Sequence, residues 1–387
     1  MKYKMSISSI VIATLILFGC DQHSPVTPDF TGEDGSPTFA ASQQLSRVGH
    51  GSGAVTVMTR NIYVGTNVDI VLSAGSPEQV PGLVAEAFQV LLSTNFPERA
   101  QALAKEIARS RPHLVGLQEV SLLRLQSPGD AIVGGKTPAE DVLFDYLAIL
   151  LDALRSRGLH YKIAGKIRNA DVEVPMVVSL DPLAFDDVRL TDFDVVLARN
   201  DVGIARVTEQ NYQAKLTIPN LGITIPRGFV AVDARVGKKT YRFANTHLEP
   251  AVLAVKSAQA QELAAALEND TLPVILVGDL NTEALTGAVY QFFESQGYVD
   301  AWTQNIAARN RPGFTCCHDS DLRNTAVDLD ERIDLVFVRN QGGTGPVFAF
   351  TVGDKLRDRT PSGLWPSDHA GVVAKLRIPG LQVVAQR

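Results

Sequence analysis

The sequence predicts an α/β fold in which mixed or antiparallel sheets are flanked by helices. Three observations carry this expectation. Apolar strand-like runs and amphipathic helical stretches are mixed along the chain from residue 54 onward. Several strand-like runs also follow one another directly: Phe229–Val236 and Tyr241–Asn245 are separated by the hairpin-like Gly237-Lys238-Lys239-Thr240. A purely parallel sheet would need a long crossover between such strands. The composition, 45% hydrophobic and 20% charged over 387 residues, fits a folded chain and excludes disorder, collagen and coiled coil.

Before the folded part, Lys2 and Lys4 precede an uncharged run from Met5 to Phe18 that leads into Leu17-Phe18-Gly19-Cys20. A short positive region followed by about 7–15 apolar residues is an export signal, and no apolar stretch reaches the roughly 20 residues needed to span a bilayer. Leu17 to Cys20 resembles the bacterial lipobox. That resemblance implies removal of residues 1–19, acylation of Cys20 and an exported protein anchored by lipid in the bacterial cell envelope. An ordinary signal peptide that happens to contain a cysteine is the alternative. Residues 20–53, rich in Ser, Pro, Thr, Gly and Asp after the cysteine, read as a flexible tether spanning roughly 30 Å. Residues 54–387 are then the folded domain.

The elements of that domain follow in order. Val55 and Val57 alternate with Thr56 and Met58, as in a strand. Pro97 to Ser110 places Ala100, Leu103, Ala104, Ile107 and Ala108 on one helical stripe. His113 to Leu117 is a short strand. Pro138 to Arg157 reads as a long helix with Pro-Ala-Glu-Asp as its first turn. Phe193–Leu197, Phe229–Val236, Tyr241–Asn245, Val274–Val277 and Ile333–Val338 read as strands, and Ser257–Glu268 as a helix. Residues 121–141 and 170–211 read as loops that shape a pocket.

Polar residues recur just past these strands: Asn61, Glu119, His247 in Asn-Thr-His-Leu-Glu-Pro, and Asp279 and Asn281 in Gly-Asp-Leu-Asn. Asp334 lies in Glu-Arg-Ile-Asp-Leu-Val-Phe, and Asp368-His369 in Pro-Ser-Asp-His-Ala. Strand ends are where rigid sheets present reactive groups. Singly, each residue is more often ordinary turn chemistry; the order of the whole set carries the signal.

That order resembles the endonuclease/exonuclease/phosphatase superfamily, which includes deoxyribonuclease I, abasic-site endonucleases, bacterial sphingomyelinases and inositol-polyphosphate 5-phosphatases. The resemblance covers about Ala54 to Pro379. It implies a four-layer α/β sandwich, two mixed sheets packed face to face between helices. It also implies a phosphoester hydrolase using in-line attack of an activated water. Asn61, Glu119 and Asp368 would be ligands of Mg²⁺, with Mn²⁺ or Ca²⁺ as alternatives; oxygen donors suit such hard cations. His369 would be the catalytic histidine, its tautomer set by Asp334. Asp279 would orient or deprotonate the water, Asn281 would donate to a phosphoryl oxygen, and His247 would bind phosphate or assist the leaving group. Which histidine is acid and which is base stays open. Arg227, in Arg-Gly-Phe, would reach a substrate phosphate or simply close a surface loop.

A phosphodiester, in nucleic acid or a phospholipid headgroup, is the first expectation, a phosphomonoester such as an inositol phosphate the second. A non-catalytic surface-binding lipoprotein on the same fold is the rival of another class. The formal charge of −6, −8 once Lys2 and Lys4 are removed, counts mildly against a polyanionic substrate. No motif names a protein partner, and a monomer is expected. Cys316-Cys317-His318 lacks the further ligands of a zinc site. Two packed or reactive thiols are expected there, with a vicinal disulfide as the alternative. Asn67 and Asp69 read as local turn chemistry, and Trp302 and Trp365 as packing residues, Trp365 being near enough to Asp368 to border the pocket.

Overall fold

The computed structural model describes residues 54–305, 311–339, 347–378 and 381–382. The expected export signal, Cys20 and the tether lie outside these described residues.

The chain first lays down β1 (Val55–Asn61), β2 (Leu114–Gln118), β3 (Leu122–Gln126) and β4 (Asp141–Asp145). A long hairpin follows, β5 (Tyr161–Leu180) and β6 (Leu183–Arg199), then β7 (Gly203–Asn211). The short pair β8 (Leu216–Ile218) and β9 (Ile223–Ile225) stands apart from both large sheets. β10 (Gly228–Val236), β11 (Lys239–His247), β12 (Val274–Asp279), β13 (Val299–Asp300) and β14 (Asp334–Arg339) come next. β15 (Val347–Val352), β16 (Gly371–Leu376) and β17 (Leu381–Gln382) complete the set.

One sheet of eight strands runs β15-β16-β1-β2-β6. The outer half of β6 pairs with β3, which carries β4, and the other edge of β6 pairs with β5. The second sheet, of seven strands, runs β13-β14-β12-β11-β10-β7, with β17 against β11. Both are mixed: β1 and β2 are parallel, as are β11 and β12, while their other neighbours are antiparallel.

Three apolar layers hold this together. Val55 and Val57 of β1 and Val196 of β6 meet Val230, Phe243 and Val277 of the other sheet. Met58, Val115 and Leu197, on the opposite face, pack beneath helices Phe96–Ser110 and Tyr146–Arg155. Phe229, Leu276 and Phe337 pack beneath helices Leu253–Leu267 and Ala288–Ser295. The result is the four-layer α/β sandwich. Central strands covered on both faces are apolar almost throughout, such as Val274–Val277. Among the described residues no helix is long and apolar enough to cross a membrane.

One polar residue crosses the inter-sheet layer. Asn245 of β11 donates to Leu117 O (2.9 Å) and Val195 O (3.2 Å) and accepts from Gln118 Nε2 (2.6 Å). Gly116 makes room for it: a Cβ there would lie 2.5 Å from Asn245 Oδ1. An unsatisfied buried polar group costs about 1–3 kcal/mol, so the three bonds make this amide a rivet between the sheets.

Two expectations are corrected. The helix expected from Pro138 begins only at Tyr146, because Asp141–Asp145 pairs with β3 and the Asp145 carboxylate caps the helix by accepting from Ala148 N–H (3.0 Å). The stretch read as a loop at 170–211 is almost all strand, in β5, β6 and β7, whereas 121–141 holds strand only in β3 and at Asp141. The apolar alternation of β5 and β6 is blurred by irregularities at Ile163/Gly165, Arg168/Asp171 and Val177/Ser179. A helix over Val80–Ser93, absent from the sequence reading, packs against β5.

Candidate active site

Strand register brings the polar residues together. His247 ends β11 opposite Asp279 at the end of β12, which in turn lies opposite Asp334 at the start of β14. In the other sheet Asn61 ends β1 opposite Gln118, Glu119 follows directly, and Asp368-His369 precede β16 on the other side of β1. The carboxyl ends of two parallel pairs thus face one cavity lined by Glu119, Asp192, Arg227, His247, Asp279, Asn281, Asp368 and His369. Gly278 permits the approach of β11 to β12: at φ +156° a Cβ would sit 2.0 Å from Thr246 O.

His369 Nδ1 donates to Asp334 Oδ2 at 2.7 Å, leaving Nε2 3.7 Å from Asp279 Oδ2. Burial alone would lower the His369 pKa, but the carboxylates of Asp334, Asp368 and Asp279 outweigh it and raise it well above the ordinary value. His247 differs. Burial, then Arg227 and His369, hold its pKa well below the ordinary range. Arg227 Nη1 donates to His247 Nδ1 at 3.0 Å, so that nitrogen accepts and the proton of the neutral ring sits on Nε2, 3.5 Å from Asp279 Oδ2. Two histidines of opposite protonation therefore flank one carboxylate. Burial, with Asp334 adding to it, pushes the Asp279 pKa up to about 6.

On the acidic side Asn61 Nδ2 donates to Glu119 Oε1 (2.9 Å) and Asp279 Oδ2 (3.1 Å), while its Oδ1 accepts from Tyr63 N–H (2.9 Å). Glu119 Oε2 accepts from Val64 N–H (2.7 Å). Burial raises the pKa of both Glu119 and Asp368, the latter to about 6 with Glu119 adding to it. Crowded carboxylates of this kind are costly while charged and uncompensated. Their oxygen chemistry fits a hard divalent cation, which Glu119 and Asp368 could hold with Asn61 beside them. Asp279, Asp334 and His369 also group within 4.8 Å, but there Asp334 and His369 already spend ligand atoms on each other.

Asn281 keeps its backbone N–H on Asp279 Oδ1 (3.0 Å) and its side-chain amide on Leu248 O (2.9 Å), bordering the cavity. Arg227 also lies 3.8 Å from Asp192 Oδ2 and faces the cavity, so it is not merely a loop closure. Glu119, Asn281 and Tyr63 have φ of +58°, +48° and +61°, a costly conformation for non-glycine residues that concentrates at functional sites.

Sequence reasoning missed several supports. Asp192 lies in a strand taken for a loop; the Asp192/Asp194 spacing, two polar residues on one strand face, is the signal it offered. Arg99, fully buried on a helix, donates to the carbonyls of Thr94, Ile62, Tyr63 and Pro366 and so ties the loops after β1 and before Asp368 together. Arg60, paired with Glu106 at 2.9 Å, donates to His369 O. Asn67 accepts from Asp69 N–H (2.9 Å), the expected local turn. Trp302 and Trp365 are buried, and Trp365 stacks on His318 with ring centroids 4.0 Å apart. The expected free thiols are instead joined: Cys316 and Cys317 form a vicinal disulfide, with Cys317 Sγ 3.9 Å from His369 Nε2.

Residues 90–369 match the model of the Endonuclease/Exonuclease/phosphatase family; Asn61 precedes the matched segment. No match was found among the curated proteins. Among solved structures, an endonuclease/exonuclease/phosphatase family protein from Leptotrichia buccalis C-1013-b is similar at 16% identity, covering 83% of this chain and 99% of that one, TM-score 0.49. A truncated Caenorhabditis elegans TDP2 gives 15%, 84%, 97% and 0.46 on the same measures. A mannosyl-6-phosphatase of Bacteroides thetaiotaomicron VPI-5482 gives 15%, 83%, 99% and 0.46. With well over half of its length matched, the chain belongs to the Endonuclease/Exonuclease/phosphatase family of phosphoester hydrolases.

Proposed function

We propose that the protein is a divalent-cation-dependent phosphodiesterase in which water attacks phosphorus in line with the leaving oxygen. The observation that carries this is Asp279 set between a cationic His369 (3.7 Å) and a neutral His247 (3.5 Å) in a cavity shared with Glu119 and Asp368. A cation bound by Glu119 and Asp368, Mg²⁺ being the best match to the donors, would offset charge on the non-bridging oxygens. Asp279, ionised at neutral pH, holds the water and takes its proton. His369, kept protonated by Asp334, donates from Nε2 to the oxygen that gains charge. His247 and Arg227 position the ester, and Asn281 offers its remaining amide hydrogen to it.

Charge favours a diester. Among the described residues lining the cavity Arg227 and the protonated His369 are the cations, against Asp69, Glu119, Asp192, Glu249, Asp279 and Asp368. A monoester dianion or a polyanionic strand meets more repulsion there than a singly charged diester. Hydrolysis in heavy-oxygen water tests the attack: the label is expected in the phosphate product, and its appearance in the released alcohol would contradict attack at phosphorus. Export and lipid anchoring through Cys20 belong to the same proposal. Incorporation of labelled palmitate that persists in Cys20→Ser would overturn that part.

A further inference from the structure

The cavity, about 650 Å³, is far larger than one phosphate group requires and lies within the range of small-molecule sites. Outside the catalytic cluster the lining is mostly apolar: Val84, Ala87 and Phe88 of the helix Val80–Ser93, Val172 of β5, Leu190 of β6 and Ile223 of β9 carry it, with Thr66, Asn67, Asp69 and Ser320 as polar members. No cation among these could recognise a second phosphate. Apolar surface left facing water is unfavourable, and its burial by a ligand is the main gain such a wall can offer.

We propose that this apolar arm holds a hydrocarbon chain of the substrate, which is therefore an amphiphilic phosphate ester and not a nucleic acid. The inference rests on the phosphodiesterase reading for its chemistry, and on the cavity lining for its specificity. Continuity supports it, because the catalytic carboxylates and the apolar wall line one cavity. The supporting hairpin points the same way. Beyond the arm, β5 and β6 run out to Leu180 and Leu183, 83% and 62% exposed, at a tip six residues from the Val174–Val188 pair. Val133, 83% exposed, sits in the loop held to that hairpin through Gly129 N–H to Phe185 O (2.9 Å). An apolar tip on the strands that wall the arm suits a substrate drawn from a lipid surface.

The test is a series of alkyl p-nitrophenyl phosphate diesters, from methyl to octyl, each below its micelle concentration and given to the full chain. kcat/KM is expected to rise with length by up to about fourfold per buried methylene, and at least tenfold over the series. Ala87→Phe and Val172→Phe narrow the arm without touching the polar cluster. Each is expected to leave the methyl ester unchanged and abolish the gain from the octyl chain, with thermal unfolding showing that the variant is folded. Equal rates at every length, or equal losses for methyl and octyl esters, would overturn the proposal. Absence of turnover on every ester would instead sink the hydrolase reading. Calorimetric binding then decides the arm by itself: octyl phosphate binding more tightly than methyl phosphate, and losing that advantage in Ala87→Phe, supports it, and equal binding overturns it.

Discussion

Replacing His369 by alanine is expected to lower kcat for diester hydrolysis by about 10²–10⁴-fold, the usual contribution of a positioned proton donor. The ring bridges the two sheets' strand ends, donating from Nδ1 to Asp334 at 2.7 Å and presenting Nε2 beside Asp279. Asp334→Asn preserves shape but withdraws the charge that keeps the imidazolium, so it too is expected to be severely impaired. If the two act as one unit, the double variant loses little more than His369→Ala alone. Additive losses would mean that Asp334 serves some purpose other than holding this histidine. Arg60 donates to the His369 carbonyl, not its ring, so the local backbone keeps its anchor in the alanine variant.

Glu119→Gln is expected to separate stability from activity. Burial already disfavours the Glu119 carboxylate, and a glutamine oxygen can still accept from Val64 N–H. Its amide nitrogen cannot accept from Asn61 Nδ2 as Glu119 Oε1 does (2.9 Å), which offsets the relief of the buried charge, so without added cation the variant is expected to be close to the parent in stability. With cation at about a hundred times its dissociation constant, the parent gains about 2.7 kcal/mol and the variant little. Activity falls together with cation affinity, by about 10²-fold or more if several kcal/mol of charge stabilisation is lost. Thermal unfolding with and without Mg²⁺ reads the first effect and steady-state kinetics the second. A parent whose melting temperature ignores Mg²⁺ would count against Glu119 and Asp368 as the cation site.

The central strands are legible because both of their faces are covered, which forces apolar runs such as Val274–Val277 and leaves their polar residues at the ends. His247, Asp279 and Asp334 are legible for that reason, and strand register then sets them side by side. The helix Val80–Ser93 is legible in principle as well: Val80, Val84, Ala87 and Leu91 are buried along one stripe while Gly82, Glu86, Gln89 and Ser93 are exposed on the other face. The β5–β6 hairpin is hidden by its bulges and its many charged, partly exposed positions. Arg99 is invisible in the sequence because an arginine beside Ala100 and Leu103 reads as the solvent side of a helix, whereas its guanidinium turns inward to four backbone carbonyls.

The most direct measurement is release of p-nitrophenol from bis-p-nitrophenyl phosphate and from p-nitrophenyl phosphate, with Mg²⁺ and with EDTA. The site described here predicts cation-dependent cleavage that is faster on the diester and abolished by the chelator. Undiminished cleavage in EDTA, or preference for the monoester, would contradict a cation-dependent phosphodiesterase.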